Sequence, residues 1–267
     1  MLSIELRAWS AQKLFSCAIL VLLTLAGCKP VKEVVEDRVE LPPPLKTLEP
    51  AITINIASID LSDYPTKTAK KSVQNLATAL KAAEVQIVTL QSVTRYPELK
   101  NRVDFIFELQ KATEMFFKFG EIQNYSGRQT GNAIFSIYPF RASENSEFNN
   151  FKSLSTSLNA TIDVGVANLL VSSLAIPEKL SSNEQKYFVS ELNKIHSNFN
   201  LPPFIITGNI NSINLKLLND ADYNIDGFVA HRQTETLTLL ETHSIETEFG
   251  KIMICKFGLF NKTVTTK

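Results

Sequence analysis

Three cysteines in 267 residues leave no disulfide framework to build from. Cys17 falls inside an N-terminal apolar run and Cys28 just after it, while Cys255 stands alone in an apolar, strand-like stretch and reads as a small buried hydrophobe. Basic runs are missing too. Lys and Arg number 27 against 27 Asp and Glu, and no stretch of them is long enough to track a phosphate backbone, so generic nucleic-acid binding is not expected. No apolar run is comfortable as a membrane span, since Leu14 to Leu25 is too short. Histidine is scarce, and His196, near the end of a predicted helix, and His231, after a strand, read as surface residues. What the chain has in quantity is apolar residues, 44% of the total, which excludes disorder throughout and supplies a sizeable core.

The N-terminal segment reads as a targeting signal rather than as part of the fold. Arg7 and Lys13 precede the apolar run, which suits the h-region of a secretory signal. Leu25-Ala26-Gly27-Cys28 follows directly and resembles a bacterial lipobox, in which the peptide is cut before the cysteine and the cysteine takes the lipid, palmitate or a similar acyl chain. A signal peptide with a chance cysteine near its cleavage site is the plainer alternative. With Lys29 rather than aspartate after Cys28, the resemblance implies the outer membrane, facing the periplasm, with the membrane as partner through the lipid anchor. Residues 28–50 carry Pro30, a charged stretch and Pro42-Pro43-Pro44, and read as an extended tether; a polar helix around Val31 to Val39 is the other possibility. The expected organisation is signal peptide over 1–27, lipidated cysteine and tether over 28–50, and one folded domain over 51–262.

Within that domain strands and helices alternate. Ile52 to Ile56 alternates as a strand, Val73, Leu76, Ala77 and Leu80 recur at helical spacing, and Val85 to Leu90 is strand-like again. A helix is expected around Leu99 to Met115, a strand over Asn132 to Ile137, and an antiparallel pair over Leu154 to Val164 and Val166 to Leu174. An amphipathic helix over Asn183 to His196 and strands over Phe204 to Thr207 and Ile252 to Phe260 complete the pattern. Phe116, Phe117 and Phe119 fit the core or a wall of the domain. Mixed helices and hairpins without a repeat predict a single α/β domain with two sheets.

Phe204 to Asn211 is the most informative stretch, because an apolar strand stops at Gly208 and presents two amides, Asn209 and Asn211. Amides orient a ligand or a water but neither take up a proton nor neutralise a divalent cation. The order of motifs is more specific still: Asn55 in the first strand, Gln91-Ser92 ending the second, then Gly131-Asn132-Ala133-Ile134-Phe135-Ser136-Ile137-Tyr138-Pro139-Phe140, Ser173-Leu174, Gly208 to Asn211, and Ile225-Asp226. Together these resemble the endonuclease/exonuclease/phosphatase superfamily across residues 51 to 262. The stretch from Gly131 is close to its GNAILSRYPI segment. The resemblance implies a DNase I-like α/β/β/α sandwich and, in active members, a Mg²⁺-type ion, a water aligned by carboxylate and amide, and histidines that stabilise the phosphate.

The residues that would do this chemistry are largely replaced. Where the family has Gln-Glu this chain has Gln91-Ser92; for His-Leu it has Ser173-Leu174; for Gly-Asp-x-Asn it has Gly208-Asn209-Ile210-Asn211; and the terminal Ser-Asp-His falls on Thr247-Glu248-Phe249. Asn55, Asn211, Asp226 and, more loosely, Glu248 remain. The expected remnant cleft is therefore Asn55, Ser92, Ser173, Asn209, Asn211, Asp226 and Glu248, with no catalytic residue assigned, no metal ligand and no cofactor, serving a binding or scaffold role. Asn55 and Asn211 would equally satisfy backbone groups at strand ends, and Asp226 would cap a turn. The competing expectation is an active phosphodiesterase, nuclease or phosphatase with Mg²⁺ or Mn²⁺ and a rearranged site, in one form of which His243 serves as the terminal histidine.

Overall fold

The strand that begins the domain is apolar on both faces, which sets it at the centre of a sheet covered on both sides. In β1 (Ile52–Asp60), Ile54 and Ile56 are buried on one face, Ala57 and Ile59 on the other. The computed structural model describes residues 49–63, 69–97, 102–148, 156–176, 180–197, 202–208, 223–226, 229–232 and 236–260. Cys28, the tether, Asn209 and Asn211 lie outside the described residues.

After β1 come α1 (Lys70–Ala82), β2 (Ile87–Arg95), α2 (Phe105–Thr113), β3 (Phe116–Tyr125), β4 (Arg128–Ser136), β5 (Phe140–Glu147), β6 (Thr156–Asp163) and β7 (Asn168–Ala175). Then follow α3 (Ser182–Ser197), β8 (Phe204–Gly208), β9 (Tyr223–Asp226), β10 (Val229–Arg232), β11 (Leu237–Thr247) and β12 (Gly250–Leu259). They form two mixed six-stranded sheets among the described residues, ordered β11-β12-β1-β2-β4-β3 and β5-β6-β7-β8-β10-β9.

Three apolar layers hold this arrangement together. Ile54, Ile56, Ile87 and Ile134 of the first sheet meet Leu158, Ile162, Val171 and Ile205 of the second between the sheets. On the outer face of the first sheet, Val73, Leu76, Ala77 and Leu80 of α1 and Ile106 and Leu109 of α2 cover Val88, Leu90, Phe135 and Ile254. Phe188 and Val189 of α3 cover Leu170, Leu174 and Ile206 of the second. Each fully buried large aliphatic or aromatic side chain contributes about 1.5–3 kcal/mol, so these layers dominate stability. Helix, sheet, sheet, helix is the expected α/β/β/α sandwich.

The expected elements are present with shifted ends. β1 runs four residues past Ile56 because Ser58 and Asp60 continue the inter-sheet face with polar groups. α2 starts late, at an Asp104 N-cap whose side chain accepts the Phe107 N–H, and ends at Glu114 in the left-handed region. β3, β5 and β11 were not anticipated as strands. β5 and β11 are edges with largely polar sequences, and at the start of β3 the adjacent Phe116 and Phe117 mask the alternation that packs Phe117 and Phe119 inward.

Candidate functional site

Between the sheets, the apolar filling gives way at one end to a layer of side chains that are polar, neutral and buried: Ser58, Thr89, Gln91, Asn132, Thr156, Ser173 and Thr207. Strand alternation accounts for the placement. Ser58 follows Ile54 and Ile56 on one face of β1, Thr89 and Gln91 follow Ile87 on β2, and Thr207 follows Ile205 on β8. The parallel register of β1 and β2 sets Asp60 opposite Gln91, and that of β7 and β8 sets Ser173 opposite Thr207. All four therefore lie at the carboxyl ends of their strands, the position at which open α/β sheets form sites.

The hydrogen bonds of this layer form a directed chain. Ser58 Oγ donates to Gln91 Oε1 at 3.3 Å, and Gln91 Nε2 donates to Ser173 Oγ at 3.0 Å and to Thr207 Oγ1 at 3.5 Å. Ser173 Oγ passes its own proton to the Leu90 carbonyl at 3.2 Å, and Thr207 Oγ1 to that of Ser172 at 3.1 Å. Beside them Asn132 Nδ2 donates to Thr156 Oγ1 at 3.1 Å and to the Ser173 carbonyl at 3.2 Å, while its Oδ1 accepts the Ser92 N–H at 3.3 Å. Donors and acceptors match, so burying these groups carries little penalty. The layer joins β2 and β4 of one sheet to β6, β7 and β8 of the other.

Of the residues singled out from the sequence, the structure brings Ser92 and Ser173 to this layer. Ser92 sits in a bulge between Leu90 and Val93 with φ 57, half-buried above Asn132. Asn55 lies at the other end of β2: its carbonyl accepts the Gln86 N–H, and its Nδ2 donates to the Ala83 and Glu84 carbonyls at the end of α1. That is five residues, about 16 Å of strand, from Asp60. Glu248 is in the β11–β12 turn at the polar end, but its carboxylate accepts from Ser72 Oγ at 2.6 Å and Asn75 Nδ2 at 2.7 Å on α1. Those two hydrogen bonds, with Lys71 adding a weaker attraction, hold its pKa below the usual glutamate range. Phe249 turns into the helix-side core, edge-on to Phe105 at 5.5 Å. His243 is exposed in mid-β11 opposite Ile254, which packs beneath the helices, and so points away from the inter-sheet layer. Asp226 pairs with Val229, and Val229 with Thr207, so its backbone shares a register row with Ser173 and Thr207 three strands along.

One group went unnoticed in the sequence. Asp60, half-buried, continues the inter-sheet face of β1 past Ser58 and brings a carboxylate to the rim beside Gln91, where its Oδ1 accepts the Ser62 N–H at 2.9 Å. The signal was the alternation Ile54, Ile56, Ser58, Asp60, carried two steps beyond the apolar part. Asn132, Thr156 and Thr207 could have been found in the same way.

Solved structures show where this architecture recurs. An endonuclease/exonuclease/phosphatase from Beutenbergia cavernae superposes with a TM-score of 0.58 at 14% identity, over 78% of this chain and 72% of that one. A family protein from Leptotrichia buccalis gives 0.57 at 12% identity over 76% and 98%. D. rerio TDP2, solved with a single-strand DNA product, gives 0.57 at 14% identity over 77% and 99%. The fold is that of the endonuclease/exonuclease/phosphatase proteins. No protein-family model and no curated protein matches the sequence.

The endonuclease/exonuclease/phosphatase fold carries the expectation of a Mg²⁺-type ion at the polar end, and the residues described there do not fit one. Mg²⁺ requires hard, preferably anionic oxygens in near-octahedral array. The buried layer offers neutral hydroxyl and amide oxygens already engaged with one another, and Asp60 is the carboxylate at its rim. Among the described residues no three His, Cys, Asp or Glu side chains stand close enough to share a metal.

Proposed function

We propose that the chain is a lipid-anchored, non-catalytic binding or scaffold protein that keeps the endonuclease/exonuclease/phosphatase fold without its metal-dependent phosphoester chemistry. The observation that carries this reading is the closed Ser58, Gln91, Ser173 and Thr207 chain, which fills the strand ends with neutral, satisfied groups. Phosphoryl transfer depends on concentrated positive charge and a positioned base, and this layer supplies neither. Lipidation at Cys28 and residence at the outer membrane rest on the lipobox resemblance, and the proline-rich segment would hold the domain off the bilayer. Cys28→Ser is expected to release the protein from membranes and abolish incorporation of a palmitate analogue; retention on the membrane would count against the anchor.

The enzymatic part is tested with the purified domain. Hydrolysis of bis(p-nitrophenyl) phosphate and p-nitrophenyl phosphate should stay at background in Mg²⁺ or Mn²⁺, and millimolar Mn²⁺ should leave the melting temperature unchanged, since a ligand that binds the folded state would raise it. A rearranged, active phosphoesterase is the second reading, favoured by the Asp60 carboxylate beside Gln91. On that reading Mn²⁺-dependent turnover appears and is lost in Asp60→Ala, Asn211→Ala and Asp226→Ala.

A further inference from the structure

The edge of a sheet presents unpaired N–H and C=O groups that another strand can take up. Of the four sheet edges among the described residues, three are blunted. β9 is four residues long. β3 and β5 lie against each other, with Asn145 Nδ2 donating to the Glu121 carbonyl at 2.9 Å and Lys118 Nζ 6.0 Å from the Phe140 ring. Bulges break both strands, between Glu121 and Gln123 and between Phe140 and Ala142. β11 has no such protection along most of its length. It is 11 residues long and carries no Lys, Arg or Pro, and past its bulge between Leu239 and Glu241 it pairs with β12 without interruption from Glu241 to Thr247. Glu241, His243, Ser244 and Glu246 of that run are exposed.

The pairing with β12 fixes which backbone groups of β11 are free. Phe260 N–H donates to the Thr236 carbonyl at 3.0 Å, so Phe260 belongs to a hydrogen-bonded pair, and by alternation so do Gly258, Lys256, Ile254, Ile252 and Gly250. The intervening Leu259 carbonyl turns the other way, toward β1, and accepts the Ala51 N–H at 2.8 Å. Past the bulge, the partners of those β12 residues are Glu241, His243, Ile245 and Thr247. Thr242, Ser244 and Glu246 therefore direct their N–H and C=O groups to the open edge, where they have no partner among the described residues.

We propose that this edge pairs antiparallel with the same edge of a second copy of the chain, about a two-fold axis at Ser244. The axis sets Ser244 opposite Ser244 and Thr242 of each copy opposite Glu246 of the other, so every outward residue of the run enters a hydrogen-bonded pair. Any other axis within the run pairs fewer of them, because Leu240 lies in the bulge on one side and Glu248 in the turn on the other. The side chains agree with the backbone. Glu246 meets the Thr242 hydroxyl, Glu241 meets Thr247 and His243 meets Ile245, so no like charges stand opposite each other. The axis is perpendicular to the sheet, which brings α1, packed beside β11, to the same face in both copies. The first six-stranded sheet then runs unbroken through the pair. Such a dimer is compatible with either reading of the site.

The test uses two differently tagged copies of the full chain made in one cell, each of which is expected to co-purify the other. Ser244→Pro in both copies should abolish this. It removes an outward N–H that β12 does not use and sets a ring against the second strand, so the far-UV circular dichroism spectrum should stay unchanged. Because Ser244 faces itself across the axis, Ser244→Glu in both copies, or Ser244→Lys in both, should reduce co-purification at least about fivefold. A Ser244→Glu copy made with a Ser244→Lys copy should restore it. Ser143→Glu, on the β5 edge, should leave it as it was. Concentrating the purified protein should slow amide exchange at Thr242, Ser244 and Glu246 relative to a dilute sample. The proposal is overturned by absence of co-purification, by co-purification that survives Ser244→Pro, by failure of the mixed pair to restore it, by equal loss in Ser143→Glu, or by exchange at those three amides that ignores concentration.

Discussion

Ser92 combines an unusual side chain for its place in the fold with an unusual backbone. It follows Gln91 where the resemblance calls for a carboxylate, and it holds φ 57 inside a β-bulge, a conformation that strains any side chain. Its backbone N–H still anchors Asn132. Ser92→Gly is expected to stabilise the domain by about 0.5–1 kcal/mol, the relief of left-handed strain less the added chain entropy of glycine, read as a higher denaturation midpoint at unchanged slope. A lower midpoint would mean that the hydroxyl itself supports the bulge. The identity change at this position was legible in the sequence, because it is a matter of which atoms are present. The dihedral was not, since nothing in Leu90-Gln91-Ser92-Val93 announces a bulge without the partner strand that imposes the register shift.

At the scale of elements, the β11–β12 turn is tied to α1 by Glu248. Its folded pKa lies below the ordinary value of 4.5 because Ser72 and Asn75 donate to the ionised form. A carboxyl with a depressed folded pKa contributes stability in full above its unfolded pKa and loses it as pH falls through the folded one. Acidification from about pH 5 downward should therefore destabilise the natural protein more steeply than Glu248→Gln, checked by chemical denaturation across that window; parallel curves would show the contact to be idle. The full solvent exposure of Glu248 keeps the effect small. Legibility also followed element type. Strands buried on both faces, such as β1 and β8, and helices with a clear apolar stripe, such as α1, were read from periodicity. β5 and β11, edge strands with polar sequences, carry no such signal, because their pairing is dictated by β6 and β12 rather than by their own residues. Asn55 was misjudged for a related reason: the sequence shows an amide in β1, but only the register shows which end of β2 it faces.

For the whole molecule, the buried polar layer acts as a bolt between two sheets joined elsewhere chiefly by apolar contact, with an exposed hydrogen bond from Asn145 Nδ2 to the Glu121 carbonyl at their edge. Gln91 alone reaches both β7 and β8 from β2. Gln91→Ala is expected to cost about 2–3 kcal/mol, from the emptied volume and from hydroxyls at Ser58, Ser173 and Thr207 left with fewer partners, and to lower the midpoint without altering cooperativity. A cost below about 0.5 kcal/mol would mean that the hydroxyls find new partners. The same mutual dependence limits which residues the layer accepts. A histidine at position 173 would need to place a ring where a fully buried hydroxyl sits between Gln91 and the Leu90 carbonyl. A carboxylate at position 92 would bring a second negative charge toward a rim that already carries Asp60 beside Gln91. Either substitution would cost stability through its neighbours, and contacting sites of this kind do not contribute additively. On the proposed non-catalytic reading the layer would work as a ratchet, each neutral member raising the cost of a charged or aromatic replacement at its neighbours.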